Sequence, residues 1–138
     1  DSLTRTMAIN KAAIAYGHKR VLVVDDNKLN IKVAIKALSD FDFTIDTASD
    51  GLEAIEMVEN NERYDVILMD IMMPNMNGET ALQKLKEKED FDTPTIALTA
   101  DAVAGAYEKY KEAGFEDYLA KPFSRDQIRE KFDKIFKD

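Results

Sequence analysis

The most constraining stretch of the sequence is an unbroken apolar run that stops at a single carboxylate. Val66 to Met69 are apolar in succession, and Asp70 follows them directly. A short apolar run of this kind is typical of a strand that is covered on both faces in a parallel sheet. Pro74 and Gly78 lie in the segment that follows, and they prevent a smooth passage from strand to helix. Because open α/β sheets place their ligands at the carboxyl ends of strands, Asp70 is predicted to lie at a functional edge.

Composition limits the classes of protein to which the chain can belong. Its 138 residues fit one domain, and the net charge of −8 argues against a direct nucleic-acid partner or an anionic membrane surface. The absence of Cys and the single His exclude disulfides and Cys/His zinc sites. The sequence contains no apolar run of the roughly 20 residues that span a bilayer and no signal-peptide core, so a cytoplasmic location is expected.

The first part of the chain is the least informative. Residues 1–18 are expected to form a linker or an extra helical segment, and residues 19–138 are expected to form the main domain. Because the chain begins with Asp1 rather than Met, we expect it to be a piece of a longer protein. His18 has the chemistry of a phosphate donor, but it lies on no clear helix and beside two basic residues, so a linker role is expected.

From Arg20 onward, short apolar runs alternate with amphipathic segments. The alternation predicts five strands and five helices, and hence a doubly wound parallel sheet with helices on both faces. The predicted strands are residues 21–24, 43–48, 66–69, 95–98 and 115–120. The predicted helices are residues 28–38, 52–59, 78–88 and 102–113, with a last helix after a capping box formed by Ser124 and Gln127.

Two of these helices carry more specific expectations. The first is expected to direct Ile31, Ile35 and Leu38 toward the core, with lysines on the opposite face. The fourth is the weakest, because Gly105 interrupts a small apolar face, and it is expected to end at a Gly114 cap. Such a weakly packed helix suits a surface that rearranges at low cost.

Polar side chains follow four of the predicted strands. They are Asp25 and Asp26 after the first strand, Asp70 after the third, Thr99 after the fourth and Lys121 after the fifth. Because the carboxyl ends of parallel strands share one edge, these residues are expected to form one site. Three carboxylates repel one another unless a cation joins them, and oxygen ligands favour Mg²⁺. A carboxylate beside such a metal, a Lys and a Thr can attack phosphorus and hold an acyl phosphate.

Each of these residues has an ordinary explanation when it is taken alone. An Asp after a strand is commonly a helix cap or a solvated loop residue. A Thr in that place is commonly a turn residue, and a Lys is commonly a solvated surface charge. The joint placement of all five at strand ends is what favours a functional site.

Four motifs in the chain resemble the receiver domain of two-component response regulators. They are, in order, Val-Val-Asp25-Asp26-Asn, Leu-Met-Asp70-Ile-Met-Met-Pro74-x-Met-x-Gly78, Ala-Leu-Thr99-Ala100 and Tyr118-Leu-Ala-Lys121-Pro122-Phe. The resemblance covers about residues 19–138 and implies a flavodoxin-like fold with strand order 2-1-3-4-5. It further implies that Asp70 is the phosphoacceptor. The phosphodonor would be phosphohistidine on a histidine kinase or on a histidine phosphotransfer protein.

The resemblance also implies a metal site. Asp26, Asp70 and the backbone carbonyl of Met72 would bind Mg²⁺ directly, although Mn²⁺ could replace it, and Asp25 would act through a water. Met72 departs from the polar residue often found two places after the phosphoacceptor. A bulky apolar side chain there would hinder the hydrolytic water, which predicts a long-lived phosphoryl state. Asp101 is a contrary influence, because it could help to orient that water.

The remaining implied roles concern the phosphoryl group and a conformational switch. Lys121 and Thr99 would contact the phosphoryl group. Thr99 and Tyr118 would form the switch, in which Thr99 moves toward the phosphoryl group and Tyr118 turns from exposed to buried. Receivers typically have a cis Lys-Pro peptide, so the Lys121–Pro122 bond is expected to be cis.

The motifs look most like receivers of hybrid sensor histidine kinases, with Asp-Asp-Asn27-x-x-Asn30 as one sign. Such a domain would be a cytoplasmic phosphorelay switch, or the cytoplasmic domain of a membrane-bound kinase, without membrane or nucleic-acid contacts of its own. We expect a monomer or a weak dimer. A receiver is expected to catalyse its own phosphorylation and dephosphorylation, and the parent of a hybrid would be a histidine kinase.

Four other interpretations stay open. The domain could be a stand-alone response regulator, or a degenerate receiver that serves only as an interaction module. An aspartyl-phosphate phosphatase of the haloacid dehalogenase type would want Asp-x-Asp after the first strand, where this chain has Asp25, Asp26 and Asn27. A flavodoxin-like electron carrier would need a phosphate-binding Ser/Thr/Gly loop at the same place.

Overall fold

The computed structural model describes residues 18–60, 63–100 and 103–136, in which strands and helices alternate. The strands are β1 (Lys19–Val24), β2 (Phe43–Ala48), β3 (Val66–Asp70), β4 (Thr95–Thr99) and β5 (Asp117–Ala120). The helices are α1 (Lys28–Leu38), α2 (Gly51–Asn60), α3 (Gly78–Lys86), α4 (Ala106–Ala113) and α5 (Arg125–Phe136). The predictions for residues 1–17, for Asp101 and for the start of a helix at Ala102 lie outside the described residues.

The strands form one parallel sheet in the order β2-β1-β3-β4-β5. The last residue of β1, Val24, pairs with Met69 of β3, and Thr99 at the end of β4 pairs with Ala120 at the end of β5. The carboxyl ends of the strands therefore lie close to one level. The predicted fold class and strand order are confirmed, and the sheet edge on which the sequence places its polar residues exists.

A hydrophobic core lies on each face of the sheet. Successive residues of β1 alternate between them, with Val21 and Val23 in one core and Leu22 and Val24 in the other. Residues of α1 and α5 complete the first core, and residues of α2, α3 and α4 complete the second. Every residue of β3 and β4 is buried, which explains the continuous apolar run that precedes Asp70.

Short polar side chains fix the starts of three helices. Asn27 Oδ1 accepts the backbone N–H two residues later at 2.8 Å, and Asn77 Oδ1 accepts the N–H three residues later at the same distance. The predicted capping box of the last helix is confirmed. The Ser124 N–H donates to Gln127 Oε1 at 2.8 Å, and the Gln127 N–H donates to Ser124 Oγ at 3.2 Å.

Two expectations about helices were wrong in detail. The fourth helix begins at Ala106, later than predicted, because Gly105 adopts φ 84° in the left-handed region and cannot belong to the helix. The inward face of α1 is formed by Ala34 and Leu38, whereas Ile35 is 39% exposed. Apolar periodicity alone places the buried stripe only to within about one residue of rotation. None of the helices in the described ranges is long and apolar enough to cross a membrane.

His18 lies just before β1, at the amino end of the sheet. Its Nδ1 lies 3.2 Å from Asp42 Oδ2, and its Nε2 lies 2.9 Å from Thr44 Oγ1. Thr44 belongs to β2, so the imidazole links the chain before β1 to the neighbouring strand. This position is at the opposite end of the sheet from Asp70.

A polar cluster lies near the amino ends of β1 and β3. The Tyr64 hydroxyl is enclosed by the fold and donates to Asp46 Oδ2 at 2.6 Å. The Arg20 guanidinium lies 3.4 Å from the same oxygen and 4.8 Å from the centroid of the Tyr64 ring. Burial, followed by the hydrogen bond to Asp46 and the charge of Asp46, raises the pKa of Tyr64 well above its ordinary value.

The raised pKa of Tyr64 predicts a loss of stability at alkaline pH. Because folding favours the protonated phenol, its contribution is present in full below the pKa of an unfolded tyrosine, about 10, and is lost as the pH rises above it. Tyr64→Phe should lower the free energy of unfolding at neutral pH by about 1–2 kcal/mol, because a buried hydrogen bond is lost. The variant should also lose stability less steeply above about pH 10.

Urea unfolding at neutral pH and in the alkaline range measures both effects. Tyr107→Phe is the matched control, because Tyr107 is 47% exposed. If Tyr64→Phe lost stability as steeply as the wild type above about pH 10, the alkaline loss of stability would come from another titratable group.

Candidate functional site

The structure brings the three predicted carboxylates together at the carboxyl edge of the sheet. Asp25 directly follows β1, Asp26 is the next residue, and Asp70 ends β3. One oxygen of each carboxylate lies within 4.8 Å of the corresponding oxygens of the other two. Asp25 and Asp70 are only 2% and 3% exposed, whereas Asp26 is exposed. Two of the acids are therefore held out of water, and the third faces the solvent.

Lys121 joins the two buried acids. Its Nζ lies 3.0 Å from Asp70 Oδ1 and 3.3 Å from Asp25 Oδ2. Its backbone N–H donates to the carbonyl of Thr99 at 2.8 Å, which fixes the chain just after β5 against the end of β4. The Lys121–Pro122 peptide is cis, as predicted. The ammonium thus lies where it can contact a further anionic group bound at Asp70.

Burial and charge act in opposite directions in this cluster. Burial raises the pKa of Asp70, Lys121 acts against that rise, and the negative charge of Asp25 adds to it, so the pKa stays above its usual range. Burial acts to lower the pKa of Lys121. The hydrogen bonds and charges of Asp70 and Asp25 outweigh that effect and leave the pKa of Lys121 raised. Lys121 is therefore a cation at neutral pH.

The loop after Asp70 is fixed by backbone contacts. The Ile71 N–H donates to a carbonyl of β4 at 3.1 Å, and the Gly78 N–H donates to the carbonyl of Ile71 at 2.9 Å. A Cβ at Gly78 would lie 2.4 Å from the carbonyl oxygen of Asp70, so no larger residue fits there without movement of the backbone. The Met72 backbone N lies 3.4 Å from Asp70 Oδ1, while the residue is 79% exposed. Met72 therefore places its backbone beside Asp70, and its side chain faces solvent.

The two residues predicted to form a switch lie in different places. Thr99 ends β4 at the same edge as Asp70 and is 7% exposed. Tyr118 lies on β5 with a half-buried ring, whose centroid is 5.9 Å from that of Tyr110 on α4. The structure therefore places Thr99 at the site and Tyr118 between β5 and α4, and their switching roles stay predictions.

One residue of the site has a role that the sequence reasoning did not assign. The Asn27 N–H donates to Asp25 Oδ1 at 2.9 Å, while the Asn27 side chain caps α1. It therefore links the carboxylate of Asp25 to the start of the helix. The signal was present in the sequence, because an Asn directly before an amphipathic segment is typical of a helix cap.

The donor set fits a hard divalent cation. Carboxylate oxygens are the ligands that Mg²⁺ prefers, and Mg²⁺ usually takes one or two carboxylates while it keeps positions for water and phosphate. In the part of the chain that the structure describes, Asp25, Asp26 and Asp70 form the only group of three or more such side chains within reach of one ion. Lys121 contacts Asp25 and Asp70, whereas Asp26 is exposed, so an ion would reach the cluster from the side of Asp26.

Comparisons with known proteins agree with this geometry. The sequence model described as "Response regulator receiver domain" matches residues 21–133. Transcription factor SKN7 of Saccharomyces cerevisiae is 36% identical over 138 residues, which are 100% of this chain and 22% of SKN7. Hybrid signal transduction histidine kinase G of Dictyostelium discoideum is 35% identical over 127 residues, which cover 89% of this chain and 4% of that kinase. The chain therefore spans less than a quarter of the length of these relatives.

A solved structure of a receiver domain is also similar to this chain. The receiver domain of a sensor histidine kinase from Pseudomonas aeruginosa superposes with a TM-score of 0.78 and 33% sequence identity, covering 88% of this chain and 100% of that chain. A magnesium ion is coordinated in the active-site cleft of that protein. Because the receiver-domain model matches residues 21–133, which are most of the chain, this chain belongs to the family of response regulator receiver domains.

Proposed function

We propose that this domain accepts a phosphoryl group on Asp70 in a two-component phosphorelay, in a reaction that requires Mg²⁺. The observation that carries the proposal is the position of Lys121, whose ammonium lies within 3.3 Å of both Asp70 and Asp25. A buried carboxylate beside a fixed cation and a further acid is suited to receive a phosphoryl anion. The donor is phosphohistidine on a histidine kinase or on a histidine phosphotransfer protein.

The transfer is a displacement at phosphorus. A carboxylate oxygen of Asp70 forms a bond to phosphorus while the bond between phosphorus and the histidine nitrogen breaks, and that nitrogen keeps the electron pair. Lys121 stabilises the negative charge on the phosphoryl oxygens from the buried side. Asp26, Asp70 and the Met72 carbonyl would hold Mg²⁺, which would supply further positive charge near those oxygens.

The resemblance to receivers implies two further features. Thr99 ends β4 beside the site, and its hydroxyl would donate to a phosphoryl oxygen and move toward it. Tyr118 would respond by turning inward, and the short helix α4 would repack around it. The domain would thus act as a signalling switch that accepts and later releases one phosphoryl group. It catalyses its own phosphorylation and dephosphorylation.

The parent protein is proposed to be a hybrid histidine kinase with this domain in the cytoplasm. The family match and the kinase relative support that origin. SKN7 of Saccharomyces cerevisiae, a transcription factor of which the chain covers 22%, favours a second candidate, a receiver within a transcription factor. In either protein the chemistry at Asp70 would be the same.

The first test is phosphorylation of Asp70. Incubation with Mg²⁺ and acetyl phosphate should add one phosphoryl group to the wild type, and chelation of the metal should prevent it. Asp70→Asn should abolish the gain, because an amide oxygen is a poor nucleophile. Asp90→Asn, a change of an exposed acid outside the site, should leave the gain unchanged. Intact-mass measurement checks all four cases.

A negative result with acetyl phosphate would be followed by a phosphohistidine-bearing kinase as donor. A wild-type protein that gains no phosphoryl group from either donor would contradict the proposal and favour a degenerate receiver. A gain that survives in Asp70→Asn would place the acceptor elsewhere.

The second test is the metal. Mg²⁺ at about 100 times its dissociation constant should raise the free energy of unfolding of the wild type by about 2.7 kcal/mol. Asp26→Asn should lose most of this gain, because it removes a ligand. Without Mg²⁺ the same variant should be at least as stable as the wild type, since it relieves repulsion among carboxylates that lie within 4.8 Å of each other.

Urea unfolding with and without Mg²⁺ measures these changes, and Asp90→Asn again serves as the control. Equal stabilisation of the wild type and Asp26→Asn by Mg²⁺ would place the ion at another site.

The third test concerns the lifetime of the phosphoryl group. The exposed residue Met72 lies two places after Asp70 with its backbone beside the carboxylate, and its bulky apolar side chain should hinder the approach of water. Met72→Asn should therefore speed dephosphorylation by up to about tenfold, which corresponds to about 1.4 kcal/mol of barrier. Met72→Leu keeps the apolar bulk and should match the wild type. Equal rates for the wild type and Met72→Asn would remove this role of the side chain.

A further inference from the structure

Lys131 of α5 is held beside β5 by a carboxylate. Its Nζ lies 3.2 Å from Asp117 Oδ1, and the two side chains are only 19% and 10% exposed. The same Asp117 oxygen accepts the backbone N–H of Tyr118 at 2.8 Å. Both members of the ion pair are largely buried. Separating them would leave a buried charge without its partner, which is costly in free energy.

The same ammonium also faces the ring of Tyr118. Its Nζ lies 5.5 Å from the ring centroid, a distance at which a cation is attracted to an aromatic face. Asp117 and Tyr118 are neighbours on one strand, so their side chains leave it toward opposite faces of the sheet. The Lys131 side chain can contact both residues only if it lies beside the outer edge of β5, which is the last strand of the sheet.

The ring of Tyr118 therefore has contacts with two helices. Lys131 of α5 lies against it, and Tyr110 of α4 contacts it at a centroid distance of 5.9 Å with planes inclined by 41°. A ring that turned away would lose the contact with the ammonium. Lys131 could not follow such a ring freely, because its Nζ would have to leave Asp117.

We propose that Lys131 is a positioning residue, which holds Tyr118 in the observed orientation and so opposes phosphorylation at Asp70. The second part rests on the proposed function, in which the half-buried ring seen here is the unphosphorylated orientation and turns further inward when Asp70 is phosphorylated. Coupling between two sites is reciprocal, so a contact that favours the unphosphorylated orientation weakens the binding of a phosphoryl group by the same factor. Removal of the ammonium should strengthen that binding.

The experiment compares the affinity of several variants for beryllofluoride, a stable analogue of the phosphoryl group on aspartate, in the presence of Mg²⁺. Lys131→Met keeps the apolar stem and loses the charge, and it should bind about twofold to fivefold more tightly, the size expected of one cation–ring contact. Lys131→Arg keeps the charge and should match the wild type. Lys134→Met, on the exposed side of the same helix, is the control.

A second readout follows Tyr118 itself. The contacts of its ring with the ring of Tyr110, measured as NMR nuclear Overhauser effects and assigned with Tyr118→Phe, should weaken in Lys131→Met without any beryllofluoride and be restored in Lys131→Arg. Urea unfolding checks that each variant is folded, and Lys131→Gln replaces Lys131→Met if the latter is not. A purely structural role for Lys131 would lower stability without moving the affinity.

A double-mutant cycle identifies the route of the effect. In a Tyr118→Ala background, Lys131→Met should leave the affinity for beryllofluoride unchanged. If Lys131→Met still changed the affinity in the absence of the Tyr118 ring, the change would be caused by the unpaired Asp117. This result would overturn the inference. Unchanged or weaker binding by Lys131→Met in the presence of Tyr118 would overturn it as well.

Failure of the proposed function gives a different result. A wild-type protein that binds no beryllofluoride contradicts phosphorylation at Asp70. The contacts between the rings of Tyr118 and Tyr110 in Lys131→Met still decide whether Lys131 positions the ring: weaker contacts support that part of the inference, and unchanged contacts overturn it.

Discussion

The contact of Lys121 with Asp70 and Asp25 is the interaction on which the rest of the site depends. Two buried carboxylates whose oxygens lie within 4.8 Å of each other repel strongly, and a fixed ammonium at 3.0 and 3.3 Å offsets that repulsion. The balance is incomplete, because the pKa of Asp70 stays raised by its burial. An added positive charge would therefore stabilise the cluster, and exposed Asp26 is the acid that faces the solvent.

The fold forms this cluster by bringing residues that are distant in sequence to the carboxyl edge of the sheet. Asp25 and Lys121 are separated by 96 residues, and they meet because β1 and β5 end at the same edge of a parallel sheet. The buried strands β3 and β4 fix the height of Asp70 and Thr99. The close approach of Gly78 to the Asp70 carbonyl then fixes the loop that carries Met72. Asp25 and Asp70 are buried at strand ends, whereas Tyr118, which is proposed to turn, lies on the outer strand β5 beside the short α4.

The sequence alone predicted the features that depend on the order of apolar and polar segments along the chain. The apolar runs and the polar residues after them predicted the sheet, and the receiver motifs predicted its order and the cis bond at Lys121–Pro122. It was not sufficient where three-dimensional packing decides. The contact of Lys131 with Asp117 and Tyr118 depends on how α5 lies against an edge strand, and neither periodicity nor a motif encodes that placement. The exposure of Ile35 is another case, because a helix can rotate slightly to bury Ala34 instead.

The central claim, that Asp70 forms an acyl phosphate, is tested most directly by chemical trapping. Borodeuteride reduces an aspartyl phosphate to homoserine, so the phosphorylated protein can be reduced, digested and mapped by peptide mass. We predict deuterium-labelled homoserine in place of Asp70, dependent on Mg²⁺, with Asp25 and Asp26 unmodified. Labelled homoserine in place of any other aspartate, or a phosphorylated protein without label in the peptide that contains Asp70, would contradict the account.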